Sequence, residues 1–121
     1  MTAQVIGVTI LTFIASGIAC ALIHEFGHWI VAKIFGGDIK FRFEWGKLFG
    51  IIPIPRGIWN MPEQFNKTQK KFTAAAGFGF EFIASIIALL VFGLYTMLIV
   101  SVAHIALYQF YAGEASDFKW L

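Results

Sequence analysis

The sequence predicts an all-α integral membrane protein with about three transmembrane helices and a short β-hairpin-like segment after the first. Three observations predict it. Hydrophobic residues make up 59% of the chain and charged ones 13%, with a mean hydropathy of +0.77, whereas a typical soluble domain carries about 25% charged residues. Two apolar stretches, Val5 to Phe35 and Phe72 to Tyr111, together hold the length of three crossings. Between them the pattern changes to strict alternation, the period of a strand. At 121 residues the chain has room for one domain, residues 1–121, embedded in the bilayer.

The first stretch is roughly 45 Å long if fully helical. That exceeds the hydrocarbon core of about 30 Å, so the helix tilts, kinks or protrudes. Gly36-Gly37 supplies its stop. It has no basic leading region, and cleavage near Cys20 would leave His24 on a frayed end, so the segment is expected to be retained rather than removed as a signal peptide. Cys20 is the single cysteine, which excludes an intrachain disulfide. It precedes His24 by one turn and reads as a small packing residue rather than a thiolate ligand.

After the first helix, Ile39, Phe41, Phe43 and Trp45 alternate with Lys40, Arg42 and Glu44, a strand with one apolar and one charged face. Gly46-Lys47 can turn it, and Leu48 to Ile54 can return as a second strand. Pro53 and Pro55 restrict that return to an edge or a short pairing. A polar linker is expected from Arg56 to Lys71. The apolar run from Phe72 to Tyr111 reads as two crossings, with the reversal placed at Gly93 to Thr96. The tail from Gly113 to Leu121 is polar. Eight of the nine Lys and Arg residues lie between Lys33 and Lys71. The positive-inside bias makes that loop, and with three crossings the tail as well, cytoplasmic. A net charge of +2 is too small to suggest nucleic acid.

The chemistry concentrates in His24-Glu25-Phe26-Gly27-His28. No charged residue occurs from Val5 to Ile23, and then three ionisable groups fall within five positions. Ionisable groups inside a bilayer-length helix are costly and mark function by default. Residues at i and i+4 share a helix face, so His24 and His28 can offer two imidazoles to one metal ion. Glu25 lies about 100° round the helix, from where it reaches a metal-bound water as general base. The bland alternative is a polar network that joins helices without a metal. A catalytic Zn2+ needs a third protein ligand, and Asp117, His104 and Glu114 are the candidates. Glu81, in the first turns of the second helix, is either a partner of a ligand histidine or a carboxylic acid kept neutral by burial.

These residues resemble the site-2 protease family of intramembrane zinc metalloproteases. Three stretches carry the resemblance: His24-Glu25-Phe26-Gly27-His28, the extended Gly50-Ile51-Ile52-Pro53-Ile54-Pro55, and Ala75-Ala76-Gly77-Phe78-Gly79-Phe80-Glu81. Two departures stand out. Glu81 occupies the place of the family's asparagine, and Ser116-Asp117-Phe118 stands where the family has L-D-G. The resemblance implies a zinc endopeptidase with His24, His28 and Asp117 as ligands and Glu25 as base, cleaving a transmembrane or membrane-associated protein within the lipid bilayer. A scaffold or binding protein that keeps the metal helix without catalysis is the alternative. The alternating segment Ile39 to Trp45 is expected to pair with the unwound substrate as an added strand, or else to anchor the protein at the interface.

Overall fold

The computed structural model describes residues 2–108, 110 and 117–121. In chain order it contains α1 (Ala3–Ile34), β1 (Phe41–Leu48), β2 (Ile52–Trp59), α2 (Lys67–Phe92), α3 (Thr96–Tyr108) and a terminal 3-10 turn (Asp117–Trp120). The fold is therefore mixed and not all-α, and the expectation of three crossings is corrected. Among the described residues two helices, α1 and α2, are long and apolar enough to cross a membrane. With 13 residues α3 spans about 20 Å, short of the hydrocarbon core. The physical reason is where the apolar run divides. Gly93 takes the left-handed conformation (φ 66°) and caps α2, so most of the run belongs to α2.

Each helix carries its own start and stop. The Thr2 hydroxyl caps α1 by accepting from the Val5 amide at 3.2 Å. At the other end Gly36 sits at φ 81°, with the Gly37 amide donating to Ala32 C=O and that of Gly36 to Lys33 C=O. This is a Schellman stop. α2 opens with a capping box, in which the Gln69 amide donates to Asn66 Oδ1 at 2.9 Å and the Asn66 amide to Gln69 Oε1 at 3.0 Å. The expected polar linker from Arg56 to Lys71 is thus largely structured, its ends being β2 and the first turn of α2.

The two strands form an antiparallel ladder from Phe41↔Trp59 to Leu48↔Ile52. The turn lies at Phe49 and Gly50 (φ 54° and 74°), three residues beyond the expected Gly46-Lys47. Pro53 and Pro55 do not shorten the pairing. They lie opposite Lys47 and Trp45, two residues apart, and an alternating ladder leaves every second residue free of any donor obligation.

The interior is small and mixes apolar with polar side chains, while the exterior carries many large apolar ones. Fully buried side chains are led by His28, Glu81, Thr73 and Asp117. Val8, Leu11, Ile18 and Leu22 of α1 and Leu90 and Phe92 of α2 are more than half exposed. The two long helices approach closely at Gly27, where a Cβ would collide with the Ala76 carbonyl of α2. Small residues at such a crossing let backbones pack without a large apolar core.

Candidate metal centre

α1 presents His24 and His28 on one face, as their spacing requires, and both are buried. The terminal turn returns Asp117 to the same point. Its Oδ2 lies 2.9 Å from His24 Nε2 and 2.8 Å from His28 Nε2, and the two Nε2 atoms are 3.1 Å apart. Asp117 is held there from three sides. Its amide donates to the Tyr108 hydroxyl at 3.0 Å, Trp59 Nε1 donates to its Oδ1 at 2.9 Å, and Phe118 stacks on Phe78. Burial by itself raises a carboxyl, but the hydrogen bonds and charge of His24 and His28 hold Asp117 well below the usual carboxylate range.

The orientation of the rings determines what this cluster can bind. His28 Nδ1 faces the backbone carbonyl of Thr73 at 2.7 Å, and His24 Nδ1 faces Glu81 Oε2 at 3.0 Å. Both partners accept, so both Nδ1 atoms donate, and in neutral rings each Nε2 carries a lone pair. Two nitrogen lone pairs and a carboxylate oxygen then converge without an N–H between them. The cluster closes as buried ion pairs if the rings take extra protons, or around a cation if they do not.

The residues fit a metal in three respects. Edges of 2.8 to 3.1 Å are close to the about 3.3 Å between ligand atoms of a tetrahedral zinc. Each imidazole has an acceptor behind it, as ligand histidines usually do. Finally, Gly77 of α2 leaves a cradle beside the cluster: a Cβ there would lie 2.5 Å from His28 Nε2 and 2.7 Å from His24 Nε2. Two imidazoles and a carboxylate with one side left for water suit catalytic zinc.

Glu25 stands next to this cluster and outside it. Its carboxylate lies against Gly57 of β2, so closely that a Cβ at that position would overlap Oε1. Oε2 is buried and has no hydrogen-bond partner among the described residues. A cavity of about 380 Å3 runs between α1, the hairpin and α3, with Glu25, His24, Phe43, Gly57 and His104 on its walls.

Of the three candidates for the last ligand, Asp117 joins the two histidines. His104 instead places Nδ1 on the Glu81 carboxylate at 2.9 Å, and Glu114 lies outside the described residues. Cys20 points away, its Sγ 3.6 Å from the Met97 carbonyl. Glu81 pairs with His24 as well as with His104. Sequence reasoning missed Thr73, Gly77, Gly57 and Trp59. The Ala-Gly run signalled close packing around Gly77. Nothing local marks Trp59, whose ring stacks on His28 at a centroid distance of 4.4 Å. Both strands of the hairpin reach the site. Gly57 and Trp59, two residues apart on one face of β2, make the contacts with the site, and β1 contributes Phe43 to the cavity wall. No protein family, curated protein or solved structure matches this chain.

Proposed function

We propose that this protein is an intramembrane zinc endopeptidase of the site-2 protease type, multi-pass, with its active site nearer the cytoplasmic face. A single observation carries the reading: a carboxylate with an unpartnered buried oxygen follows the first histidine of a His–His–Asp donor cluster and lines a cavity together with that histidine, His24. A structural metal site has no use for Glu25, which weighs against a scaffold that retains the metal helix.

His24, His28 and Asp117 would hold the ion. When bound, zinc supplies a Lewis acid that acidifies water and polarises a carbonyl. Glu25 takes the proton of the attacking water and delivers it to the leaving amine, giving one free carboxylate and one free amine for each peptide bond cut. The burial of its unpartnered Oε2 favours that return, since a bare carboxylate oxygen is costly away from water. Thr73 and Glu81 keep both imidazoles aimed, and Trp59 keeps the second oxygen of Asp117 occupied. Apolar side chains on the outside of α1 and α2 face lipid, and the basic residues from Lys33 to Lys71 face the cytoplasm.

The test is Glu25→Gln in purified protein. Zinc by mass spectrometry is expected to stay at one per chain, while cleavage of a single-pass test substrate falls at least about a thousandfold, as loss of a general base dictates. Loss of zinc in this variant would make Glu25 a ligand and overturn the mechanism.

A further inference from the structure

The cavity beside Glu25 changes character along its length. Around Glu25 its walls carry His104, which pairs with Glu81, and Arg56, whose Nη2 lies 3.8 Å from Glu44 on the neighbouring strand. Further back along α1 come Ala21 and then Gly17, each one turn before the next. Gly17, Ala21 and Glu25 therefore share a face that spans about 12 Å. α3 runs alongside, with Thr96 bonded to Ser16 at 2.6 Å and the His104 ring 5.0 Å from that of His24. Val100 and Ala103, which line the same cavity, thus stand across from Gly17 and Ala21. A Cβ at Gly17 would meet nothing within 4 Å among the described residues. Small apolar residues wall this end of the cavity and leave room that larger ones would fill.

We propose that this end is a specificity pocket, which holds the substrate side chain on the leaving-amine side of the cut bond and selects a large apolar one such as leucine or phenylalanine. The inference rests on the proteolytic reading above, in which Glu25 delivers a proton to the leaving amine. The residue that owns that nitrogen must bring it against the Glu25 carboxylate, and its Cβ lies only two bonds further on. Gly57 closes one side of the carboxylate, and the cavity is the space left beside it. At about 380 Å3 that space falls within the about 300 to 1,000 Å3 of ligand pockets, so it takes a side chain together with its backbone. Selection by size follows from the solvent. A side chain that leaves lipid for an apolar wall gains no hydrophobic energy, because lipid tails are as apolar as leucine. What remains is contact, and a small side chain leaves the walls without partner atoms. A charged side chain finds no counter-ion among Gly17, Ala21, Val100 and Ala103, and in a membrane an unpaired charge is costly.

The test reads preference within one digest, so that the amount of active protein drops out. Zinc-loaded protein in detergent receives an equimolar mixture of lysine-flanked, single-pass peptides of alanine and glycine, in which one position carries alanine, leucine or phenylalanine. Mass spectrometry of the products identifies the residue that bears the new amine. Leucine and phenylalanine are expected there at least about tenfold over alanine. Ala21→Leu, which fills the pocket from α1, should bring that ratio to about one or invert it at unchanged zinc content. Ala103→Leu should do the same from α3, and serves if the first variant does not fold. In Glu25→Gln protein, without turnover, a photoreactive leucine at the varied position should cross-link to the segments 17–21 and 100–107. A parent that cuts without preference, a preference unchanged in both leucine variants, or cross-links confined to other segments each overturn the pocket and leave proteolysis standing. A zinc-loaded parent that cuts neither these peptides nor the single-pass test substrate overturns the proteolytic reading, and the pocket with it.

Discussion

At the scale of single residues, Gly77 decides whether the cluster can hold an ion. Its missing side chain leaves the space beside both Nε2 atoms, and a methyl group there would lie closer to them than carbon and nitrogen can approach. Gly77→Ala is therefore expected to abolish zinc binding while both histidines remain. Helical alanine is favoured over glycine by up to about 1 kcal/mol, so secondary structure should persist. The check is zinc content beside far-UV circular dichroism; one zinc per chain in the alanine variant would show that the ion does not use that space.

At the scale of elements, the hairpin covers the site as well as continuing the chain. The alternation in β1 puts Phe41 and Phe43 on the face that also carries Gly57 and Trp59 of β2, directly opposite in the ladder. From that face Gly57 admits the Glu25 carboxylate and Trp59 reaches Asp117. Gly57→Ala should move the carboxylate without touching a metal ligand. The expected result is normal zinc content with kcat reduced about 10- to 100-fold, since small misplacements of a reacting group cost that much. Loss of zinc would instead mean that the hairpin holds Asp117 more than it places Glu25. α3 shows why length alone is a poor guide to role. It is shorter than the hydrocarbon core, and it brings His104 to Glu81 and the Tyr108 hydroxyl to the Asp117 amide.

At the scale of the whole molecule, polar and charged side chains share the interior with apolar ones, and many large apolar side chains lie on the surface, unlike a typical soluble domain. In lipid no hydrophobic effect draws helices together, so close backbone contact at Gly27 and buried hydrogen bonds such as Ser16 to Thr96 at 2.6 Å hold α1, α2 and α3 in place. The ends of the molecule also differ. Lys33, the hairpin, Lys67 and Lys70 share one end with Asp117, and Tyr95 in the α2–α3 turn marks the other. In a Cys20→Ser background, a cysteine at position 70 should react with an impermeant maleimide from the cytoplasmic side, and one at position 95 from the opposite side. Labelling of both from one side would remove the crossing by α2.

The sequence by itself determined how His24, Glu25 and His28 are arranged, because they lie within five residues of one helix and local geometry dictates their faces. It determined through composition that helices apolar enough to cross a membrane are present, and the presence of a hairpin through a period of two. It also contained the reversal at Gly93, since only a residue tolerant of positive φ ends α2 there cheaply. Tertiary structure decided what depends on distant parts of the chain meeting. Asp117 lies 93 positions from His24 and is held beside it by Tyr108, Trp59 and the stacking of Phe118 on Phe78. The placement of His104 on Glu81 needed α3 to lie against both long helices. The length of each helix was decided there too: apolar composition says that a segment tolerates lipid, whereas packing and capping decide how far each helix runs.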